Sequence, residues 1–254
     1  MVYSPTIMLR LLTLNMEGVS HLNRVITLIT TTTPDVLCLQ EMPAAFTHTL
    51  FTLGYFVTFA PMSHHNSVAP GDTLGIGLAT RIPTTTTIHY YMSKTGSPQA
   101  HNKHDAHSKS YPVITGTILD RNTTSYTIAT THLFDTWNGL ESDDQTECVE
   151  KLLAYTSTLP PHLLCGDMNM PRGYNTSYEL FCQQYADTIP ATYTSSLDRN
   201  LHRAGNRTDL NAPIFDIYMV DYIFSQPTYT VENVQLHFGV SDHAAVTAEI
   251  ARTT

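Results

Sequence analysis

A set of polar residues stands where apolar runs stop. Asn15 ends IMLRLLTL, Glu41 follows VLCLQ, and His132 closes the run that begins at Tyr126. Asp167 and Asn169 follow LLC in the stretch LCGDMNMPRG; Asp221 lies in VDYIF, and Asp242-His243 precedes the last apolar run. The carboxylates of Glu41, Asp167 and Asp242 suit a hard divalent cation, Mg²⁺ or Mn²⁺, far better than zinc. His132 and His243 titrate near neutrality and suit acid–base work. The Asn169 amide can bond a phosphoryl oxygen or orient a water. Taken singly these features are ordinary. Gly, Asp, Asn and Pro make turns, and a lone histidine is more often structural. The repetition carries the weight: residues at successive strand ends gather on one rim of a layered sheet.

The elements that must position them follow from patterning. Residues 7–14 read as a strand, and His21–Thr30 as a helix with Leu22, Val25, Ile26 and Ile29 at helical spacing. A threonine tract and Pro34 stop that helix, and Val36–Leu39 forms the next strand. Residues 61–75 and 93–110 read as loops. Gly75–Thr80, Val113–Leu119, Tyr126–Thr131, Leu163–Cys165, Met219–Phe224, Tyr229–Leu236 and Ala244–Ile250 read as strands. Helices are expected over Glu141–Leu159 and Tyr178–Tyr185, and a polar loop over 194–213. The two TTTT tracts read as local bias. No linker or repeat divides the chain, so one domain over residues 1–254 is expected.

The chain has 254 residues, 42% of them hydrophobic, enough for a sizeable core. Its 13 Lys+Arg against 22 Asp+Glu give a formal net charge of -9. That speaks against a broad basic face that clings to nucleic acid, and leaves room for a local basic patch. None of the four cysteines has CxxC spacing. Cys38 and Cys165 lie in apolar runs, so buried thiols in a reducing, cytoplasmic setting are expected. No apolar run approaches about 18 residues, so no membrane span is expected. Arg10 interrupts the first apolar patch, which reads as a strand and not a signal peptide.

In order, NxE, LQE, TH, GDMN, VDYIF and SDHAAV closely resemble the motifs of the endonuclease/exonuclease/phosphatase family, over residues 11–248. The resemblance implies an α/β fold, a four-layered α/β/β/α sandwich of two mixed sheets, with the site at the top of the paired sheets. It implies Mg²⁺- or Mn²⁺-dependent phosphoester hydrolysis. Asn15 and Glu41 are similar to the family's first-strand asparagine and metal-binding glutamate, and Asp242 joins them as a metal candidate. His132, Asp167 and Asn169 resemble the family's catalytic histidine and central pair. Asp221 resembles the carboxylate that orients the last histidine, His243. Where some relatives place a phosphate-contacting arginine, this chain has Ser110 with Lys109 beside it.

The implied reaction is in-line attack by water. Asp167 or the Asp221–His243 pair accepts or orients its proton, and His132, Asn169 and His243 surround the phosphoryl oxygens. Candidate substrate contacts are Lys109, Arg172, Tyr193, Arg199, Arg203 and Arg207, with Lys103, His202 and Trp137 as further possibilities. Thr192-Tyr193 resembles a Thr-aromatic element of the DNA-end and phosphatase relatives. A nucleic-acid phosphodiester is the favoured substrate. The alternatives are a phosphomonoesterase acting on a sugar or inositol phosphate, and a non-catalytic phosphate-binding domain. No obligate protein partner is evident.

Overall fold

The computed structural model describes residues 8–64, 73–92, 99–100, 108–120, 122–136, 139–203 and 214–252. These residues build two mixed sheets. The seven-stranded sheet runs β12 (Tyr229–His237), β13 (Ala245–Arg252), β1 (Leu9–Asn15), β2 (Val36–Pro43), β4 (Thr73–Thr80), β3 (Phe56–His64), β6 (Gln99–Ala100). The six-stranded sheet runs β10 (Ala186–Asp187), β11 (Asp221–Ser225), β9 (Leu163–Asp167), β8 (Ser125–His132), β7 (Tyr111–Leu119), β5 (Thr84–Met92). The β1–β2 and β8–β9 pairs, two of the places where expected site residues end strands, are parallel.

Strand alternation explains the layers. On β1, Leu12 and Leu14 face α1 (Leu22–Thr32) and α2 (Phe46–Thr52) and join Val25, Ile29, Phe46 and Leu50 in one buried cluster. Leu9 and Leu11 belong instead to the main core. On the six-stranded sheet, Phe224 stacks on Phe181 of α4 (Thr176–Cys182), with ring centroids 5.3 Å apart. Full burial of such a side chain contributes roughly 1.5–3 kcal/mol. The layers are therefore helix, sheet, sheet, helix, as the resemblance implies.

The same alternation carries polar residues to the rim. The strand face that bears Cys38 low between the sheets bears Gln40 higher up, where its Nε2 donates to Thr130 Oγ1 at 3.2 Å. Cys165 meets Cys38 across the sheets, and two residues on, Asp167 meets Asn15. A bulge in β2 between Leu39 and Met42 then breaks the alternation. Gln40 points inward, Met42 returns to the helix-facing cluster, and Glu41 is left at the break.

Several elements differ from the sequence expectation. Residues 61–64 continue β3, and Thr73 begins β4, where a loop was expected. Pro61 does not break β3, since the register shifts between Pro61 and Ser63. The tract TTTTIHYYM is β5, an edge strand bonded to β7. Helix α2 was not expected. It lacks a side-chain cap and acidic residues in its first turn. Helix α3 (Asp143–Thr156) is shorter than expected at both ends; it starts late because Ser142 caps it, accepting from Gln145 N at 3.2 Å. Asn175 caps α4 in the same way, accepting from Ser177 N at 2.9 Å.

Candidate active site

The opening stretch folds as it does for two reasons. Gly166 has φ 142°, and a Cβ there would clash with the Thr131 carbonyl oxygen on parallel β8. Only glycine lets the two strands approach so closely beside Asp167. Asn169 then takes a left-handed φ of 50°. Glu17 at 49° and Glu41 at 48° do the same. Three left-handed residues at one rim cost on the order of 1 kcal/mol each, a strain typical of functional sites.

Asp167 sits at the centre. Its Oδ2 accepts from Asn15 Nδ2 at 3.0 Å, and its Oδ1 accepts from Asn169 N at 2.9 Å. The same Oδ2 lies 3.5 Å from His132 Nε2 and 3.8 Å from His243 Nε2. His243 Nδ1 is 2.7 Å from Asp221 Oδ2, and Ser196 Oγ donates to that same oxygen at 2.6 Å. Burial alone would push the His243 imidazole down, but the Asp221 and Asp167 carboxylates together hold it well above its ordinary value. The Asn169 amide nitrogen lies 3.0 Å from both Leu133 O and His132 Nε2. In this state the Asn169 amide fixes the His132 ring.

The second layer was not read from the sequence. Gln145 Nε2 donates to Phe134 O at 3.0 Å and to Asn169 O at 3.1 Å, and Asn175 Nδ2 donates to Gln145 Oε1 at 2.7 Å. Gln145 in the first turn of α3, held by the Asn175 cap of α4, thus clamps the Asn169 turn. Their sequence signal is ordinary helix-start chemistry. Ser196 was also missed. It lies in the expected 194–213 loop, yet residues 195–198 are buried against the closing motif. Asp198 N donates to Asp242 O at 2.8 Å, and Ala244 N to Ser196 O at 2.7 Å.

Asn15 links Asp167 to a group of carboxylates, its Nδ2 bonding Asp167 and its Oδ1 accepting from Glu17 N. Glu17, Glu41 and Asp242 are close enough for their charges to interact. Burial, then the charge of Asp242, and more weakly that of Glu41, push the Glu17 carboxyl above its usual range, against its bond to His21. The NxE motif carried the signal for Glu17. Asn15 is more committed than expected: its Oδ1 already accepts from Glu17 N at 3.1 Å. Mutually repelling carboxylates and an amide oxygen are the donor set of a hard divalent cation, so the residues fit Mg²⁺ or Mn²⁺. Asp167, Asp221 and His243 also bring ligand atoms within 4.8 Å of one another, but Asp221 and His243 are already bonded to each other and Asp167 to Asn15 and Asn169.

The expected substrate contacts divide. Lys109 lines a cleft with Glu41, Ser63 and His132, and pairs with Asp135 at 2.8 Å. Arg172 makes bracing contacts. Its Nη2 meets Asp187 Oδ2 at 2.8 Å, and its terminal nitrogens also donate to the Ile189, Pro190 and Tyr193 carbonyls. Tyr193 packs partly buried against the main core. Arg199 is exposed and stacks on Phe215, and Arg203 is exposed. Arg207, Lys103 and Trp137 lie outside the described residues.

A two-sheet sandwich with a hydrogen-bonded Asp–His pair and a group of carboxylates near one rim suits phosphoester chemistry. The chain belongs to the Endonuclease/Exonuclease/phosphatase family, whose profile matches residues 12–243. Members of that family are phosphoester hydrolases. An endonuclease/exonuclease/phosphatase from Beutenbergia cavernae superposes with a TM-score of 0.72 at 18% identity, over 96% of this chain and 72% of that one. D. rerio TDP2, solved with a single-strand DNA product, gives 0.68 at 16% identity, over 96% and 98%. ANGEL2, described as a 2′,3′-cyclic phosphatase and solved with adenosine-2′,3′-vanadate, gives 0.66 at 14%, over 98% and 97%. Identities this low speak to the fold. No curated protein matches the chain in sequence. Among the described residues no helix is long and apolar enough to cross a membrane.

Proposed function

We propose that this protein is a divalent-metal-dependent phosphodiesterase acting on nucleic acid. The observation that carries the reading is the placement of Asp167 Oδ2 between two imidazoles, 3.5 Å from His132 and 3.8 Å from His243. Glu41, Glu17 and Asp242 would hold the cation, with Asn15 beside them. When bound, the cation supplies Lewis-acid stabilisation of charge on the phosphoryl oxygens. Asp167, oriented by Asn15 and the Asn169 backbone, is the acceptor for the proton of an attacking water. His243, kept charged by Asp221, presents Nε2 to the phosphoryl group as negative charge develops there. His132, fixed by Asn169, flanks the other side. Lys109 keeps further ammonium hydrogens beyond its bond to Asp135 and adds positive charge at the cleft.

Support for a nucleic-acid substrate comes from two structural neighbours, one solved with a single-strand DNA product and one with an adenosine vanadate. The four free cysteines, three of them buried, support a reducing compartment such as the cytoplasm. The test offers purified protein with Mg²⁺ or Mn²⁺ a panel of substrates: supercoiled plasmid, single- and double-stranded oligonucleotides, 5′-blocked DNA ends and phosphorylated sugars and inositols. Cleavage of an oligonucleotide diester is expected. Turnover of the monoesters alone would favour the phosphatase alternative.

A further inference from the structure

Among the described residues, Arg199, His202 and Phe215 form a cluster that the mechanism above does not use. The Arg199 guanidinium lies over the Phe215 ring, 4.6 Å from its centroid. His202 meets the same ring edge-on at 5.6 Å, with an interplanar angle of 79°. Phe215 in turn packs on Leu197 and Val220. The cluster is tied to the catalytic rim. Leu197 bridges His243, Asp198 bonds the Asp242 carbonyl, and His202 is near enough to feel the charges of Asp242 and His243. It stands at the opposite end of the rim from Lys109. Lys109 precedes β7, while the cluster flanks β11, with β8 and β9 between.

The Arg199 side chain is 59% exposed, so much of it stays accessible beyond its contact with Phe215. A guanidinium flat on an aromatic ring offers a planar, cationic surface that stacks well against a nucleobase. Asp216 lies 3.8 Å from the Arg199 Nη2 edge, and its charge disfavours a second phosphate there. Both points favour a planar ring over a phosphate as the occupant.

We propose that Arg199, seated on Phe215 and braced by His202, is a stacking shelf for an unpaired nucleobase next to the scissile phosphate. This rests on the nucleic-acid reading above. A base stacked on the shelf has left its duplex partner, so single strands and frayed ends are the substrates the shelf accepts.

The test is fluorescence anisotropy in chelator, so that no hydrolysis occurs. The probes are a labelled single-stranded oligonucleotide, an abasic oligonucleotide of the same length, and the corresponding blunt duplex. Wild type is expected to bind the base-bearing strand about 10-fold or more tighter than the abasic strand, the scale of one base–aromatic stack. Phe215→Leu and Arg199→Ala should each remove most of that preference and leave abasic binding within about threefold. Equal wild-type binding of the base-bearing and abasic strands would overturn the shelf and leave the nucleic-acid reading standing. Wild-type binding to none of the three would overturn both. The comparison of probes on wild type decides the matter even if a variant fails to fold.

Discussion

His243 Nδ1 lies 2.7 Å from Asp221 Oδ2, and the contact joins the two sheets. Asp221 begins β11 of the six-stranded sheet, and His243 precedes β13 of the seven-stranded one. The pair is therefore also a seam of the sandwich. If the two residues act as a unit, their losses overlap. His243→Ala should lower turnover by roughly 10²- to 10⁴-fold, the range for a positioned acid–base group. Asp221→Asn should cost less, and the double variant should lose much less than the product of the single losses. Multiplicative losses in steady-state turnover would break the pairing.

Ser196 is expected to affect turnover through Asp221, while its Oγ also accepts from Val220 N at 3.2 Å and Asp221 N at 3.3 Å. Its hydroxyl donates at 2.6 Å to the same Oδ2 that His243 meets, while Asp221 Oδ1 has no protein partner among the described residues. Ser196→Ala removes a buried bond to a charged acceptor, worth about 1.5–3 kcal/mol of stability. Turnover should fall by roughly tenfold, on the order of 1.4 kcal/mol, with KM little changed. Ser196→Thr should restore much of the loss. A KM effect without a turnover effect would contradict a positioning role.

The raised proton affinity of His243 has a pH signature. A histidine whose folded pKa is raised contributes stability in full below its unfolded pKa of about 6.5. That stability is lost as the pH rises through the folded value. In chelator-treated protein, the difference in unfolding free energy between wild type and His243→Gln should therefore be larger at about pH 6 than at about pH 10. Denaturant titrations at the two pH values measure it. A difference that grows with pH would contradict the assignment.

Gly166 tests the local geometry. At φ 142°, with the Thr131 carbonyl in the path of any Cβ, Gly166→Ala requires β8 and β9 to part. A loss of about 3 kcal/mol or more in unfolding free energy is expected, with activity falling as Asp167 shifts. Gly173→Ala, where nothing stands within 4 Å of the added carbon, should cost less, chiefly through its φ of 67°. Equal costs at the two positions would discount the close approach at Gly166.

Much of the site was legible because polar residues interrupt strongly apolar strands. Asn15, Asp167 and Asp221 end or begin strands that their apolar runs place, and the structure brings them together with His132 and His243. What was hidden depends on tertiary context. Strand β5 carries no apolar alternation because it is an edge strand of threonines, several of them exposed. The bulge at Glu41 is invisible without the register of β4. Ser196, Gln145 and Asn175 act through hydrogen bonds across 25 to 30 positions of sequence or through helix caps, and residue type alone marks none of them. Arg172 shows the converse. Its position just beyond Asn169 suggested a phosphate contact, but Asp187 and the carbonyls of residues 189, 190 and 193 claim its charge.

The central claim is that Glu41 and its neighbouring carboxylates hold a divalent cation needed for phosphodiester hydrolysis. The most direct measurement is oligonucleotide turnover by wild type and Glu41→Gln, with bound metal determined on the same samples before chelation, in chelator and after Mg²⁺ or Mn²⁺ is restored. Wild-type activity should vanish in chelator and return with either metal. Glu41→Gln should keep its fold, bind metal more weakly and turn over roughly 10²-fold or more slowly, a loss of several kcal/mol of transition-state stabilisation. Full wild-type activity in chelator, with metal content measured as nil, would contradict the account.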